Sequence, residues 1–264
     1  MTLRVTMPGM ELRVIGCHGG ETPKHRTSAF VLDDKLAIDA GSLTSGMDLP
    51  AQFALEACIV SHAHLDHIRD LATIADNRCQ QGAKTLLIAA PKPTIDTLKR
   101  HFFNDHLWPD FTKIPAGNGP TIEYLELELE KPTQIAGFDV RAVAVSHTID
   151  TAGFLVRGPG GTVAYSGDTG PTDRFWELLN QEARVKALLA EVSFPNGEQG
   201  LATVSGHHTP RTLAADLAKL ERPADIPTFL YHIKPFFQAE VERECAALKG
   251  LNLNVPRLDD RFVL

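Results

Sequence analysis

Cysteine is scarce in this chain, with four in 264 residues: Cys17, Cys58, Cys79 and Cys245. No two stand in a C-x-x-C spacing, which argues against a thiolate zinc knuckle or a redox pair. A chain of this length can bury a sizeable core and does not need disulfides to fold. Cys58, inside the apolar run Ala57-Cys58-Ile59-Val60, reads as a small core residue. Positive charge is also short. Twenty-six Lys and Arg face 33 Asp and Glu, for a formal charge of −7. Neutralising a phosphate backbone needs a basic surface, so a non-specific grip on nucleic acid is not expected. A local positive site built from bound cations stays open. No apolar run approaches the ~18 residues of a membrane span. The opening MTLRVTMPGMELRVIGC lacks the basic-then-apolar layout of a signal peptide. The expectation is a mature cytoplasmic protein without a membrane segment.

Repeats, low-complexity tracts and obvious linkers are also missing, and Pro and Gly serve as turn punctuation. Short apolar or alternating runs predict strands at 12–15, 29–32, 35–38, 57–60, 85–89, 121–130, 138–145, 152–156, 162–165, 186–190 and 228–231. Asp33-Asp34 is a hairpin turn between the second and third. Helical spacing marks 67–78 and 93–101. Thr209-Pro210 is a helix start, with Thr as N-cap and Pro at the first helical position. A last helix, 238–249, is closed by Gly250. Two groups of strands with attached helices suit two face-to-face sheets with helices outside. Composition alone does not separate this from an open α/β sheet.

Histidine is the abundant residue, 11 in all and unevenly placed. Ser61-His62-Ala63-His64-Leu65-Asp66-His67 puts four metal-ligand types within six positions. The bland reading is a polar turn with unrelated histidines. Against it, the motif begins where a buried strand ends. His62 and His64, two apart, can point the same way from an extended segment. Asp66 and His67 fall at the turn into a helix and can face a second point. Four ligands this close suit two adjacent ions better than one. Three further candidates follow apolar strands in the same way: His147, Asp168 and His232. The expected assignment gives His62, His64 and His147 to one ion. Asp66, His67 and His232 go to the other, and the Asp168 carboxylate bridges them. Room remains for a shared water or hydroxide. Imidazole and carboxylate without thiolate suit Zn, with Fe or Mn as alternatives, better than Ca or Mg.

Two such ions ~3.5–4 Å apart suit hydrolysis of an anionic ester by in-line displacement. The leaving alkoxide needs a proton. Glu191, at the end of its strand, can orient His207 as general acid. The expected catalytic residues are therefore Asp66, Glu191 and His207. The helix start after His208 can favour a phosphate through its free N–H groups. Phe102, Phe103, Trp108, Phe236 and Phe237 can stack on a base, although aromatic residues are more often core.

At these residues the chain resembles the metallo-β-lactamase superfamily, through His62-x-His64-x-Asp66-His67, His147, Asp168 and His232. Within it, the chain is most similar to the class II cyclic-nucleotide phosphodiesterases. That likeness rests on Gly16-Cys17-His18-Gly19-Gly20, His64-Leu65-Asp66-His67-Ile68 and Phe103-Asn104-Asp105-His106-Leu107-Trp108-Pro109-Asp110-Phe111. Glu191-Val192-Ser193-Phe194-Pro195 and Ser205-Gly206-His207-His208-Thr209-Pro210 extend it. The resemblance implies a single α/β domain over residues 1–264, a four-layer αβ/βα sandwich of two mixed sheets with outer helices. It implies two divalent metal ions and hydrolysis of 3′,5′-cyclic nucleotides, cyclic AMP favoured, to 5′-monophosphates. Asn104, Trp108 and His207 are the expected substrate-binding residues, and a homodimer is compatible with this reading. Asp70, Ala75 and His208 depart from the family pattern and touch no expected ligand. The alternatives are other hydrolases of the fold, a tRNA 3′-end endonuclease or a thioester hydrolase. The former would want a Lys/Arg-rich gripping arm that the sequence lacks.

Overall fold

The computed structural model describes residues 9–264. In chain order its strands are β1 (Glu11–Gly16), β2 (Ala29–Leu32), β3 (Leu36–Ile38), β4 (Ala57–Ile59), β5 (Leu86–Pro91), β6 (Pro115–Ala116), β7 (Gly119–Pro120) and β8 (Ile122–Leu127). There follow β9 (Thr133–Ile135), β10 (Phe138–Ala144), β11 (Ala152–Gly158), β12 (Gly161–Tyr165), β13 (Val185–Glu191), β14 (Thr228–Tyr231), β15 (Leu253–Asn254) and β16 (Arg261–Val263). One seven-stranded sheet runs β16-β1-β2-β3-β4-β5-β8, a second runs β15-β14-β13-β12-β11-β10-β9, and β6 pairs only with β7. In each large sheet one half is antiparallel and the other parallel.

Period-two alternation decides how the sheets stack. Phe30 and Leu32 of β2 and Leu36 and Ile38 of β3 face a central core. Phe154 of β11, Val163 and Tyr165 of β12, and Phe229 and Tyr231 of β14 enter the same core from the second sheet. The intervening Val31, Ala37 and Cys58 face a separate core under the helices of the first sheet. Ala164, Leu188 and Leu230 face a third core, with Trp176, Leu213 and Val241 from the outer helices. Three apolar seams separate four layers, helix–sheet–sheet–helix. Phe30 meets Tyr231 edge-on at 5.5 Å between ring centroids, an aromatic contact across the central seam.

The predicted strands all form, with small shifts at their ends. Both Asp33 and Asp34 have positive φ, as a tight hairpin turn requires. Thr209 caps the helix Pro210–Leu217, accepting from the Thr212 amide in a reciprocal capping box. The helices differ more. The expected 67–78 helix is two pieces, Leu65–Ile68 and Leu71–Gln81. The break lies beside Asp70, whose carboxylate accepts from the amide and hydroxyl of Thr44, each at 2.7 Å, instead of capping its own helix. The expected 93–101 helix is Lys92–Thr97 followed by one π-turn, Leu98–Phe102. The last helix stops at Ala246, short of Gly250. Among the described residues no helix is long and apolar enough to cross a membrane.

Candidate active site

The parallel strands β3, β4, β13 and β14 deliver side chains to one edge of the sandwich. Asp39 follows β3, His62 lies past β4, Glu191 ends β13 and His232 follows β14. Asp168 leaves β12 at the same edge, and His147 leaves β10 there. This is where open parallel sheets collect functional groups, since the strand fixes the backbone and the loop is free to turn.

Two donor groups result. In the first, His64 Nδ1 lies 3.0 Å from His62 Nε2 and 3.2 Å from His147 Nε2. In the second, His232 Nε2 lies 3.2 Å from Asp66 Oδ2 and 3.1 Å from Asp168 Oδ2. His67 Nε2 is 3.2 Å from the same Asp168 oxygen, and His62 Nε2 is 3.9 Å from it. Asp168 therefore stands between the groups. A tetrahedral site with ligand bonds of ~2.0–2.1 Å has ligand–ligand edges of about 3.3 Å. The donor atoms stand at that spacing.

Hydrogen bonding fixes which ring nitrogen is bare. Asp39 accepts from His67 Nδ1 at 2.7 Å and from the Ser61 hydroxyl at 2.8 Å. Since Ser61 donates its proton there, its oxygen accepts from His62 Nδ1 at 2.9 Å. The Gly206 carbonyl accepts from His147 Nδ1 at 2.9 Å. Ser193 donates to Glu191 Oε1 at 2.6 Å and accepts from His232 Nδ1 at 2.8 Å. With each Nδ1–H occupied, the Nε2 lone pairs of these four rings face the cluster. His64 has one Nδ1 proton at most and cannot serve both His62 and His147. His67 Nε2 and Asp168 Oδ1 are buried without a hydrogen-bond partner. Orphaned lone pairs at this density fit a bound cation.

Electrostatics agree with this reading for four of the five rings. Burial pulls His62, His64, His147 and His232 below the ordinary imidazole range, the neutral state a ligand needs. His67 goes the other way: burial opposes its charge, but Asp168 and Asp39 outweigh burial. Two close backbone approaches support the cluster. A Cβ on Gly41 would lie 1.9 Å from the Asp66 carbonyl oxygen, and one on Gly206 would lie 3.0 Å from His147 Cα. Gly206, at φ +68°, also ends the helix Gln199–Ser205 in the left-handed region.

His207 sits over both donor groups. Its ring stacks on His232 at 5.1 Å and meets His147 edge-on at 5.0 Å. Glu191 accepts from His207 Nδ1 at 2.7 Å and from the His208 amide at 2.9 Å. Burial would lower the His207 pKa, but the Glu191 carboxylate holds it above its ordinary value. Lys234, two residues past His232, is half-buried and close enough to act on both His207 and His232.

Every residue expected to ligate metal lies in this cluster, and so do Glu191 and His207. Asn104 and Trp108 do not join it by any hydrogen bond or ring contact. The Asn104 carbonyl accepts from the amides of His106 and Leu107, and its amide nitrogen donates to Arg100. The Trp108 indole donates to the Ala72 carbonyl at 3.2 Å. Phe102, Phe103 and Phe111 are core. Asp39 and Ser193 were not anticipated. Asp39 carried a signal close to that of Asp168: it directly follows β3, as Asp168 follows β12 after Ser166 and Gly167, and small residues come next.

A protein-family profile described as a beta-lactamase superfamily domain matches residues 44–233. The chain belongs to that superfamily. A probable 3′,5′-cyclic-nucleotide phosphodiesterase of Yersinia pestis is 27% identical, over 86% of this chain and 79% of the relative. Unliganded yeast PDE1 superposes with a TM-score of 0.81 at 19% identity, covering 97% of this chain and 99% of the other. The metallo-beta-lactamase fold protein YhfI of Bacillus subtilis gives 0.77 at 20% identity, covering 97% and 99%. The two structures establish the fold. The fold and the donor set together imply a divalent-metal site.

Proposed function

We propose that this beta-lactamase superfamily member is a dinuclear-metal phosphodiesterase that hydrolyses 3′,5′-cyclic nucleotides, cyclic AMP foremost, to 5′-monophosphates. The observation that carries the reading is the pair of donor groups meeting at Asp168, with His207 held over both by Glu191. The name of the Yersinia pestis relative supports the substrate class.

His62, His64 and His147 would hold one ion, Asp66, His67 and His232 the other, and Asp168 would touch both; Zn is the first choice for this donor set, with Fe or Mn behind it. When bound, such ions supply Lewis acidity to a phosphoryl group and a nucleophile at neutral pH. The chain does the rest. Water adds to phosphorus and gives up a proton to solvent as the P–O3′ bond breaks, and the departing O3′ must take a proton from a group that solvent then recharges. His207 provides it from Nε2, because Nδ1 is fixed on Glu191. Glu191 stabilises the charged ring and keeps its orientation. The Lys234 ammonium offsets charge on a phosphate oxygen outside the donor groups.

The test is incubation of pure, metal-loaded protein with cyclic AMP while 5′-AMP is followed by chromatography. Product well above a His64→Ala control is expected. Product equal to that control would overturn the substrate assignment.

A further inference from the structure

The cluster accounts for a phosphate but not for the rest of a nucleotide. Asn104 and Trp108 have their polar groups engaged in their own turn and against a neighbouring helix. A cleft of about 610 Å³ lies elsewhere, between the two sheets. Strand direction puts it beside the cluster. β4, β5 and β8 are parallel, so Pro91 at the end of β5 and Leu127 at the end of β8 lie on the edge that carries His62. β10 is two antiparallel steps from β12 and ends on the edge that carries Asp168. His147 belongs to both places: it lines the cleft, and its Nε2 is part of the first donor group.

The walls are part apolar and part polar, with Lys92, His147, Thr148, Asp150 and Thr151 on the polar side. Pro91, Pro93, Leu127, Leu129 and Ile149 line them. Two proline rings and three branched side chains make a slot suited to a flat, weakly polar face. Thr148 and Asp150 also line it and are exposed, so they can pair with ring nitrogens and an amino group. The volume lies within the ~300–1,000 Å³ typical of small-molecule sites. Ile149 and Leu129 remain 40% and 47% exposed, although each is a large apolar side chain.

Building on the phosphodiesterase reading, we propose that this cleft receives the purine base while the phosphate lies over the histidine–aspartate cluster. Ile149 and Leu129 then cover the base, and Asp150 and Thr148 read its edge. Specificity between bases resides in the loop 145–151, next to a ligand histidine, rather than in the 102–111 segment.

Calorimetry on the metal-loaded protein separates the base from the phosphate, with 5′-AMP and ribose 5-phosphate as the two probes. Wild type is expected to bind 5′-AMP at least about tenfold more tightly, the scale of burying one apolar face. Ile149→Glu and, independently, Leu129→Glu should reduce that preference to within about twofold. Both positions are partly exposed, so neither change buries a charge in the core. Variants that keep the wild-type preference would overturn the cleft as base site. So would a wild type that binds the two probes equally. Failure of the parent reading looks different: cyclic AMP stays intact with wild type, while the binding comparison still reports on the cleft.

Discussion

Asp39 and His67 lie 28 positions apart in sequence and meet at 2.7 Å, both without solvent exposure. That single contact sets the ring so that Nε2 faces Asp168. Asp39 Oδ2 also accepts from Ser61 and from Tyr165, and Oδ1 accepts from the Ser61 amide at 2.7 Å. An Asn here would set an NH₂ group against donors whichever way it turned. Asp39→Asn is expected to weaken metal binding by about 10–100-fold, as loss of an orienting carboxylate does. Competition with a chromogenic chelator measures it. Unchanged affinity would show that His67 is oriented by something else.

His207 should matter in proportion to how badly the leaving group needs a proton. His207→Ala is expected to slow cyclic AMP hydrolysis by about 10²–10⁴-fold. Bis(p-nitrophenyl) phosphate expels a stable phenolate and should lose far less, about tenfold at most. Equal losses on both substrates would assign His207 to binding or structure and remove it as general acid.

The donor groups make separate predictions for metal content. His64 belongs to the first group only, so His64→Ala should retain about one ion per chain. Asp168 touches both groups, and Asp168→Ala should fall to below about one. Elemental analysis after gel filtration gives the numbers. Chelation of the wild type should lower its Tm, because ligands bind the folded chain and not the unfolded one. A chain carrying a single ion, lost equally in both variants, would overturn the dinuclear assignment.

Much of this site was legible because metal chemistry writes itself locally. His62 to His67 is one short string, and His147, Asp168 and His232 each follow an apolar strand. Asp39 and Ser193 were harder to read. Neither residue type is unusual, and their roles appear only once β3 lies beside β4 and Glu191 lies beside His232. Strands were legible because a short apolar run bounded by turn residues marks a strand buried on both faces, as in β2 and β12. Helix ends were not, since Asp70 prefers Thr44 to its own helix. The expected substrate-binding residues stand outside the cluster for a related reason. Asn104 and Trp108 are the polar and aromatic types expected to bind ligands, but turn formation uses the same hydrogen-bonding atoms.

The surroundings of His208 predict how stability responds to acid. Behind it lies Asp216, only 2% exposed. Asp216 Oδ2 accepts from Trp176 Nε1 at 2.8 Å and the Thr172 amide at 2.9 Å, and Oδ1 accepts from Lys219 Nζ at 2.6 Å. His208 Nε2 stands 3.5 Å away. Burial alone would raise the pKa of this carboxyl, but His208, Lys219, Thr172 and Trp176 together hold it below the ordinary carboxylate value. As pH falls, the unfolded chain therefore takes up this proton before the folded one. The stabilisation is whole above the unfolded pKa of ~3.9 and disappears as pH drops through the lower folded value. Asp216→Asn sets an NH₂ group against donors and should cost about 2–3 kcal/mol at pH 7. That difference should shrink once pH falls below about 4. Urea unfolding of both proteins from pH 7 to pH 3 measures it, and a gap that stays constant across the range would show that the Asp216 charge does not support the fold.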